Sequence, residues 1–225
     1  MLEMTIDAAV AKKKRSLPML NRKMILDSID ESDCCQTPDH AVWPMLPYLK
    51  PHSVIWEPCC GKGNIARVLR AAGHTVIAHD LHEGAHWNFF SYAPDDYDYI
   101  ITNPFYTGKY RMIERCYKLG KPWALLVPFT TMAAGRALEL YKTHGAWEEL
   151  RPTSRISFEM PKSGYDNAGA QFNTTWLTWK VLPCPLTIVD LEAPLPHQQI
   201  RRPKKSKRAA EYQSHETEAV SADPS

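Results

Sequence analysis

No stretch of this 225-residue chain approaches the ~18 consecutive apolar residues that a membrane-spanning helix needs. The opening MLEMTIDAAVAKKKRS has a basic cluster with no apolar run behind it, so it lacks the layout of a secretory leader. Charge of one sign is missing too: 27 Lys and Arg against 25 Asp and Glu leave a formal +2, which excludes a polycationic fold. Cysteine is present but unpatterned. Cys34-Cys35 and Cys59-Cys60 are adjacent pairs, Cys116 and Cys184 stand alone, and no C-x-x-C or C-x-x-H spacing points to zinc. The histidines have no ligand spacing either, so no metal is expected. Free thiols in a reducing compartment follow, and the expectation is a soluble, cytoplasmic protein.

What is present is globular. An apolar share of 44% and a charged share of 23% exclude collagen-like and wholly disordered chains. At ~150 residues per domain, the length predicts one domain with tails: an N-terminal extension over 1–36, partly disordered, a folded domain over 37–190, and a basic, then acidic, disordered tail over 191–225. The tail carries Arg201, Arg202, Lys204, Lys205, Lys207 and Arg208, and the N-terminal cluster is Lys12 to Arg15. Such clusters suit contact with phosphates.

Within the domain, apolar runs alternate with helical spacing. Strands are expected at Ser53–Trp56, His74–Asp80, Tyr97–Thr102 and Pro122–Val127. Helices are expected at Gly61–Ala72, around Ile113–Lys118 and at Thr131–Tyr141, with a short one between Pro18 and Ile29. Arg155–Met160 and Thr174–Leu182 read as a late antiparallel pair. The sum is a mostly parallel three-layer α/β sheet.

Two segments carry chemistry. Glu57-Pro58-Cys59-Cys60-Gly61-Lys62-Gly63 follows the first strand and opens a helix, where open α/β sheets bind nucleotides. Asp80 lies nineteen positions beyond Gly61, at the end of the next strand, and a carboxylate there suits ribose hydroxyls. Ala66 stands where a third glycine of G-x-G-x-x-G would be, so an adenosine compound without pyrophosphate fits better than a dinucleotide. Asn103-Pro104-Phe105-Tyr106 follows the strand at Tyr97–Thr102. An Asn oxygen and the carbonyl held by the proline make two acceptors for one amino group, and an adjacent aromatic can stack on a flat target.

Taken together, Glu57-Pro58-Cys59-Cys60-Gly61-Lys62-Gly63 and Asn103-Pro104-Phe105-Tyr106 resemble the D/E-P-x-x-G-x-G and D/N-P-P-Y/F/W motifs of class I S-adenosylmethionine-dependent methyltransferases. The branch is the amino-methylating one that includes DNA adenine-N6 methyltransferases. Thr37-Pro38 resembles its T-P segment, which closes over the cofactor, and the likeness runs from Thr37 to Leu182. The resemblance implies a Rossmann-like methyltransferase fold, with a mostly parallel seven-stranded sheet, a late antiparallel hairpin and helices on both faces. It implies S-adenosyl-L-methionine held by Thr37, Pro38, Glu57, Pro58, Cys59, Gly61, Gly63, Asp80, Asn88, Phe89 and Asn103. It also implies catalysis by Asn103, Pro104, Phe105 and Tyr106, with Tyr106 stacking on a flipped base. Phe105 replaces the usual second proline, and Asn88-Phe89 stands where the branch often has Asp-Phe.

About a dozen residues separate Phe90 from Asn103, too few for a target-recognition domain there, so low sequence selectivity is expected. Its compact size would suit a viral or mobile-element enzyme. Lys109, Arg111, Arg155 and Lys162 are the expected nucleic-acid contacts, with DNA as the partner, double- or single-stranded. RNA adenine or a protein glutamine amide shares the same amino-group logic, and a non-catalytic cofactor-binding protein of the same fold is a further alternative.

Overall fold

Runs of four to six residues with almost no polar side chain dictate the centre of the molecule. In the computed structural model, which describes residues 22–27, 35–158 and 173–191, these runs become β1 (Val54–Glu57), β2 (Thr75–Ala78), β3 (Tyr99–Thr102) and β4 (Trp123–Pro128). All residues of β3 and β4 are buried, as expected of parallel strands covered on both faces. Three more strands complete the sheet: β5 (Glu148–Pro152), β6 (Thr174–Trp179) and β7 (Leu186–Val189), in the order β2-β1-β3-β4-β6-β5-β7.

β1, β2, β3 and β4 pair in parallel, β7 pairs in parallel with β5, and β6 runs antiparallel to both of its neighbours, β4 and β5. The late antiparallel pair expected from the sequence is therefore present, but its first arm is β5. The segment expected for that arm does not extend as a strand through residues 155–158, where Ile156 and Phe158 tuck into the core instead; 159–172 lie outside the described residues.

Successive strand residues feed opposite faces. Ile55, Tyr99, Ile101, Ala124, Leu126 and Trp176 face one apolar cluster, and Trp56, Ile100, Trp123, Leu125, Val127 and Leu177 face the other. The first face is covered by α2 (Asn64–Ala71), through Ile65, Ala66, Val68 and Leu69, and by two short 3-10 helices over Asp39–Ala41 and Trp43–Tyr48. The second is covered by α3 (Lys109–Leu119), through Met112, Ile113, Cys116 and Tyr117, and by α4 (Gly135–His144), through Leu140. A short α1 (Arg22–Leu26) precedes these elements and buries Ile25. The helix expected from Thr131 starts later, because Phe129–Ala133 forms a 3-10 turn before α4.

From β1 the chain moves outward to β2, then returns to the other side of β1 to place β3. The strand order thus reverses between β1 and β3, and a crevice opens at their carboxyl ends, the usual ligand position in such sheets. Among the described residues no helix is long and apolar enough to cross a membrane. The expected tails 1–36 and 191–225 fall almost wholly outside the described residues, as do Cys34 and Lys162.

Candidate active-site cleft

The crevice at the switch point is an open cleft with a cavity volume of about 160 Å³, at the place where such sheets bind ligands. Its walls include Thr37, Glu57, Cys59, Gly61, Asp80, Asn103 and Phe105. Residues expected from two motifs and the T-P segment thus meet in one place.

The floor is the turn from β1 into α2. Gly61 sits at φ +50° and Gly63 at φ +78°, conformations that L side chains seldom adopt. The Gly63 amide donates to the Cys60 carbonyl at 2.7 Å, and the Cys60 amide to the His79 carbonyl at 3.0 Å. The Gly61 amide donates to Asp80 Oδ2 at 2.9 Å, while Asp80 Oδ1 accepts from the His82 amide at 2.9 Å. Asp80 therefore holds the turn and caps its own loop. A carboxylate offers about four lone-pair sites, so each oxygen keeps room for a further donor.

Glu57 closes the bottom of the cleft at 1% exposure, and neither of its oxygens has a well-aligned hydrogen bond, the Ala66 amide being a nearby donor. Burial pushes its carboxyl up to about 8, with the Ala66 amide and then Arg70 pulling the other way and Asp80 adding to the rise. A buried carboxylate so poorly satisfied is costly, so the raised group holds its proton at neutral pH, and a cationic donor would favour its ionised form. The neighbouring thiols are protonated: burial first, then the acids Glu57 and Asp80, pushes Cys60 up to about 12, and burial also lifts Cys59 well above its ordinary value.

The front wall comes from far upstream in the chain. Gln36 Oε1 accepts from the Lys62 amide at 2.9 Å, and Asn64 Nδ2 donates to the Thr37 carbonyl at 3.0 Å. Arg67 on α2 grips Asp39 with two bonds of 2.6 and 2.7 Å. Behind this wall, Trp176 Nε1 donates to the Ala41 carbonyl at 2.8 Å in the buried interior.

The opposite wall is the segment after β3. Asn103 Oδ1 is buried without a hydrogen-bond partner, and Asn103 Nδ2 lies 4.0 Å from Cys35 Sγ. The Phe105 ring lines the cleft and meets Phe90 edge-on at 6.3 Å between centroids. It lies so close to the backbone of Gly108 that a Cβ there would sit 1.9 Å from the ring. Pro104 is buried. Tyr106, expected to stack on the substrate, is 7% exposed and packs in the core cluster of α2 and Trp176, away from the cleft wall.

Other expected residues stand further back. Pro58 is buried, Pro38 precedes the 3-10 turn at Asp39, and Gly63 starts α2. Asn88 Oδ1 accepts from the Phe90 amide at 3.0 Å, an internal turn contact. Phe89 packs on Trp56 at 5.2 Å and beneath the Arg115 guanidinium. Neither Asn88 nor Phe89 lines the cleft. Lys109 Nζ donates to the Tyr106 carbonyl at 3.0 Å, and Arg111 lies over the Phe90 ring at 5.3 Å. Arg155 is exposed beside a separate hollow.

Cys35, Gln36, Cys60, Asn64, Ile65, Leu81 and His82 also line the cleft and were missed. Gln36, Cys60, Asn64 and Leu81 are immediate sequence neighbours of an expected residue, and Cys35, Ile65 and His82 lie two positions from one. Among the described residues no group of three or more His, Cys, Asp or Glu is placed to hold a metal ion.

No protein-family model matches the chain, and no curated protein matches it. Among solved structures it is similar to a modification subunit assigned to a type I restriction enzyme of Vibrio vulnificus YJ016, at 13% identity and a TM-score of 0.44, over 85% of this chain and 54% of that one. It is also similar to a protein of Listeria monocytogenes assigned as a class I S-adenosylmethionine-dependent methyltransferase, at 14% identity and a TM-score of 0.43, over 75% and 69%. A dimethyladenosine transferase from Plasmodium falciparum follows at 13% identity and a TM-score of 0.36, over 63% and 62%. The chain thus spans about half the length of the first of these. At such identities and scores, the fold rests on the strand order and register given above.

Proposed function

We propose that this chain is an S-adenosylmethionine-dependent methyltransferase that methylates adenine N6 in DNA with low sequence specificity. One observation carries the reading: the unpartnered Asn103 oxygen and the buried Glu57 carboxyl line the same cleft as the Gly61 turn and Asp80.

The donor set fits the cofactor. Glu57 would take its ammonium group, and that charge would favour the ionised form of the buried carboxyl. The turn at Gly61, without a Cβ, lets backbone approach the methionine part, and the spare acceptor sites of Asp80 suit ribose hydroxyls. When bound, the cofactor supplies an electrophilic methyl group on a sulfonium sulfur.

The chain's own work is orientation. Asn103 Oδ1 and the Pro104 carbonyl would accept the two N–H bonds of the target amine and aim its lone pair into the cleft. Phe105, the aromatic of the motif that lines the cleft, would stack on the extruded base, while Tyr106 anchors the segment from the core. Lys109, Arg111, Arg155 and Lys162 would contact phosphates. The cleft needs no side chain ionised as a base, in keeping with its protonated thiols.

The test is incubation with labelled S-adenosylmethionine and DNA, RNA or ribosomal extract in parallel, with nucleoside mass spectrometry, for wild type and Asn103→Ala. The expected result is methyladenosine in DNA, and ~100-fold less from the variant, equal to ~2.7 kcal/mol of lost transition-state stabilisation. Product in RNA or on protein glutamine would reassign the substrate. Cofactor binding by calorimetry without product on any polymer would mark a non-catalytic relative. Equal rates would remove Asn103 from the mechanism, and a methylation map with one strict six-base site would refute low specificity.

A further inference from the structure

A second hollow opens at the same carboxyl edge of the sheet, where β4, β5 and the start of β6 end. It is lined by Phe129, Arg151, Thr153, Ser154, Arg155 and Asn173, among others. In register, Leu125 pairs with Thr102, and Phe129 directly follows the last residue of β4, Pro128. Phe129 is thus roughly 10 Å beyond Asn103 along the strand direction and one strand, about 5 Å, to the side, or about three stacked nucleotide steps of ~3.4 Å, with Arg151 and Arg155 two strands further over, on and after β5.

Its side chains are arranged rather than merely present. The Phe129 ring is 43% exposed, and its amide is fixed by the Asn173 carbonyl at 2.8 Å. The Arg151 guanidinium lies 4.5 Å from the ring centroid, and it is held there by two bonds to Glu149 of 2.7 and 2.8 Å. Glu149, only 8% exposed, is in turn fixed by the Thr175 hydroxyl at 3.0 Å. The Glu149 charge is therefore spent on Arg151. Arg155 is exposed, with no hydrogen-bond or ion-pair partner among the described residues, and none of the described lining residues is acidic. A half-exposed aromatic ring, with Arg151 over one face, beside the exposed Arg155 guanidinium suits a base together with its phosphate.

We propose that this hollow is a nucleotide subsite for DNA: a base flanking the target adenine stacks on Phe129, and its phosphate pairs with Arg155. The proposal rests on the DNA-methyltransferase reading of the cleft and adds a place where the unpaired strand is gripped. Phe129 and Arg155 act on substrate affinity. Arg151 and Glu149 hold the platform.

The test measures fluorescence anisotropy of labelled oligodeoxynucleotides on the full chain, and S-adenosylmethionine affinity by calorimetry, for wild type, Phe129→Leu, Phe129→Tyr and Arg155→Gln. Phe129→Leu keeps apolar bulk without a flat face and is expected to weaken DNA binding about tenfold, or ~1.4 kcal/mol. Phe129→Tyr keeps the face and should bind like wild type. Arg155→Gln should weaken binding and reduce the salt slope by about one. Cofactor affinity should not move. Unchanged DNA affinity in the Leu and Gln variants, with DNA still methylated by wild type, would overturn the subsite alone. Equal losses of DNA and cofactor affinity would mark a folding defect and overturn it as well. Wild type that neither binds nor methylates DNA would overturn the methyltransferase reading together with the subsite.

Discussion

At the scale of single residues, Glu57 carries the most readable electrostatics. Its carboxyl is raised from 4.5 to about 8 by burial, so between those values the folded chain keeps a proton that the unfolded chain has released. Linkage then makes stability fall as pH rises across that window, with the full contribution present below it. The thermal midpoint of the ligand-free chain is therefore expected to drop between pH 5 and pH 8, and Glu57→Gln should flatten the decline. A variant that keeps the wild-type slope would show that another group titrates there. Glu57, Gly61, Asp80 and Asn103 were legible in the sequence because each ends a strand or opens a turn, where position follows from local pattern. The exchange of places between Phe105 and Tyr106 was not. It depends on the bare Gly108 backbone that leaves space for the Phe105 ring, a contact that no spacing rule encodes. Asn88 misled for a similar reason: its oxygen closes a turn with Phe90 instead of reaching the cleft.

At the scale of elements, the turn between β1 and α2 separates two costs that usually come together. Alanine at Gly63 meets only an unfavourable φ, since nothing lies within 4 Å of its Cβ. Alanine at Gly61 meets the same strain, and its Cβ also lies 2.9 Å from Gln36 Oε1, the acceptor of the Lys62 amide. Gly63→Ala should cost about 1 kcal/mol, and Gly61→Ala about 1 kcal/mol more through the displaced hydrogen bond. Denaturant unfolding would check the difference, and equal losses would mean that Gln36 moves aside freely.

Strands β1 to β4 were legible because they are apolar almost throughout. β5 was missed because EELRP reads as a polar segment. Its Glu148 is satisfied only in three dimensions, by the Thr178 hydroxyl and the amides of Lys180, Val181 and Leu182. β7 was missed because its four residues leave Leu186 and Ile188 exposed at 45% and 60%, the reverse of the pattern expected for a half-buried strand.

At the scale of the whole molecule, a formal charge of +2 gives no strong overall pull toward a polyanion. On the proposed DNA reading, attraction would come from local cations: Arg155, Lys109 and Arg111 on the described surface, and the six between Arg201 and Arg208 in the C-terminal sequence. Replacing those six with glutamine should make log affinity for duplex DNA less steep against log salt, by up to about 5 at ~0.9 per phosphate contact. Cofactor affinity should stay the same. A slope that does not change would assign the salt dependence to the folded domain alone.

The wall that closes the front of the cleft belongs to residues 36–41, not to any strand, and it is pinned to α2 and to Trp176. A shortened version beginning at Pro44 would retain all seven strands and lose that partition, so its cleft would be an unroofed trough. Trimming the chain to a minimal working unit must therefore stop short of Gln36, however dispensable the residues before β1 look on a topology diagram.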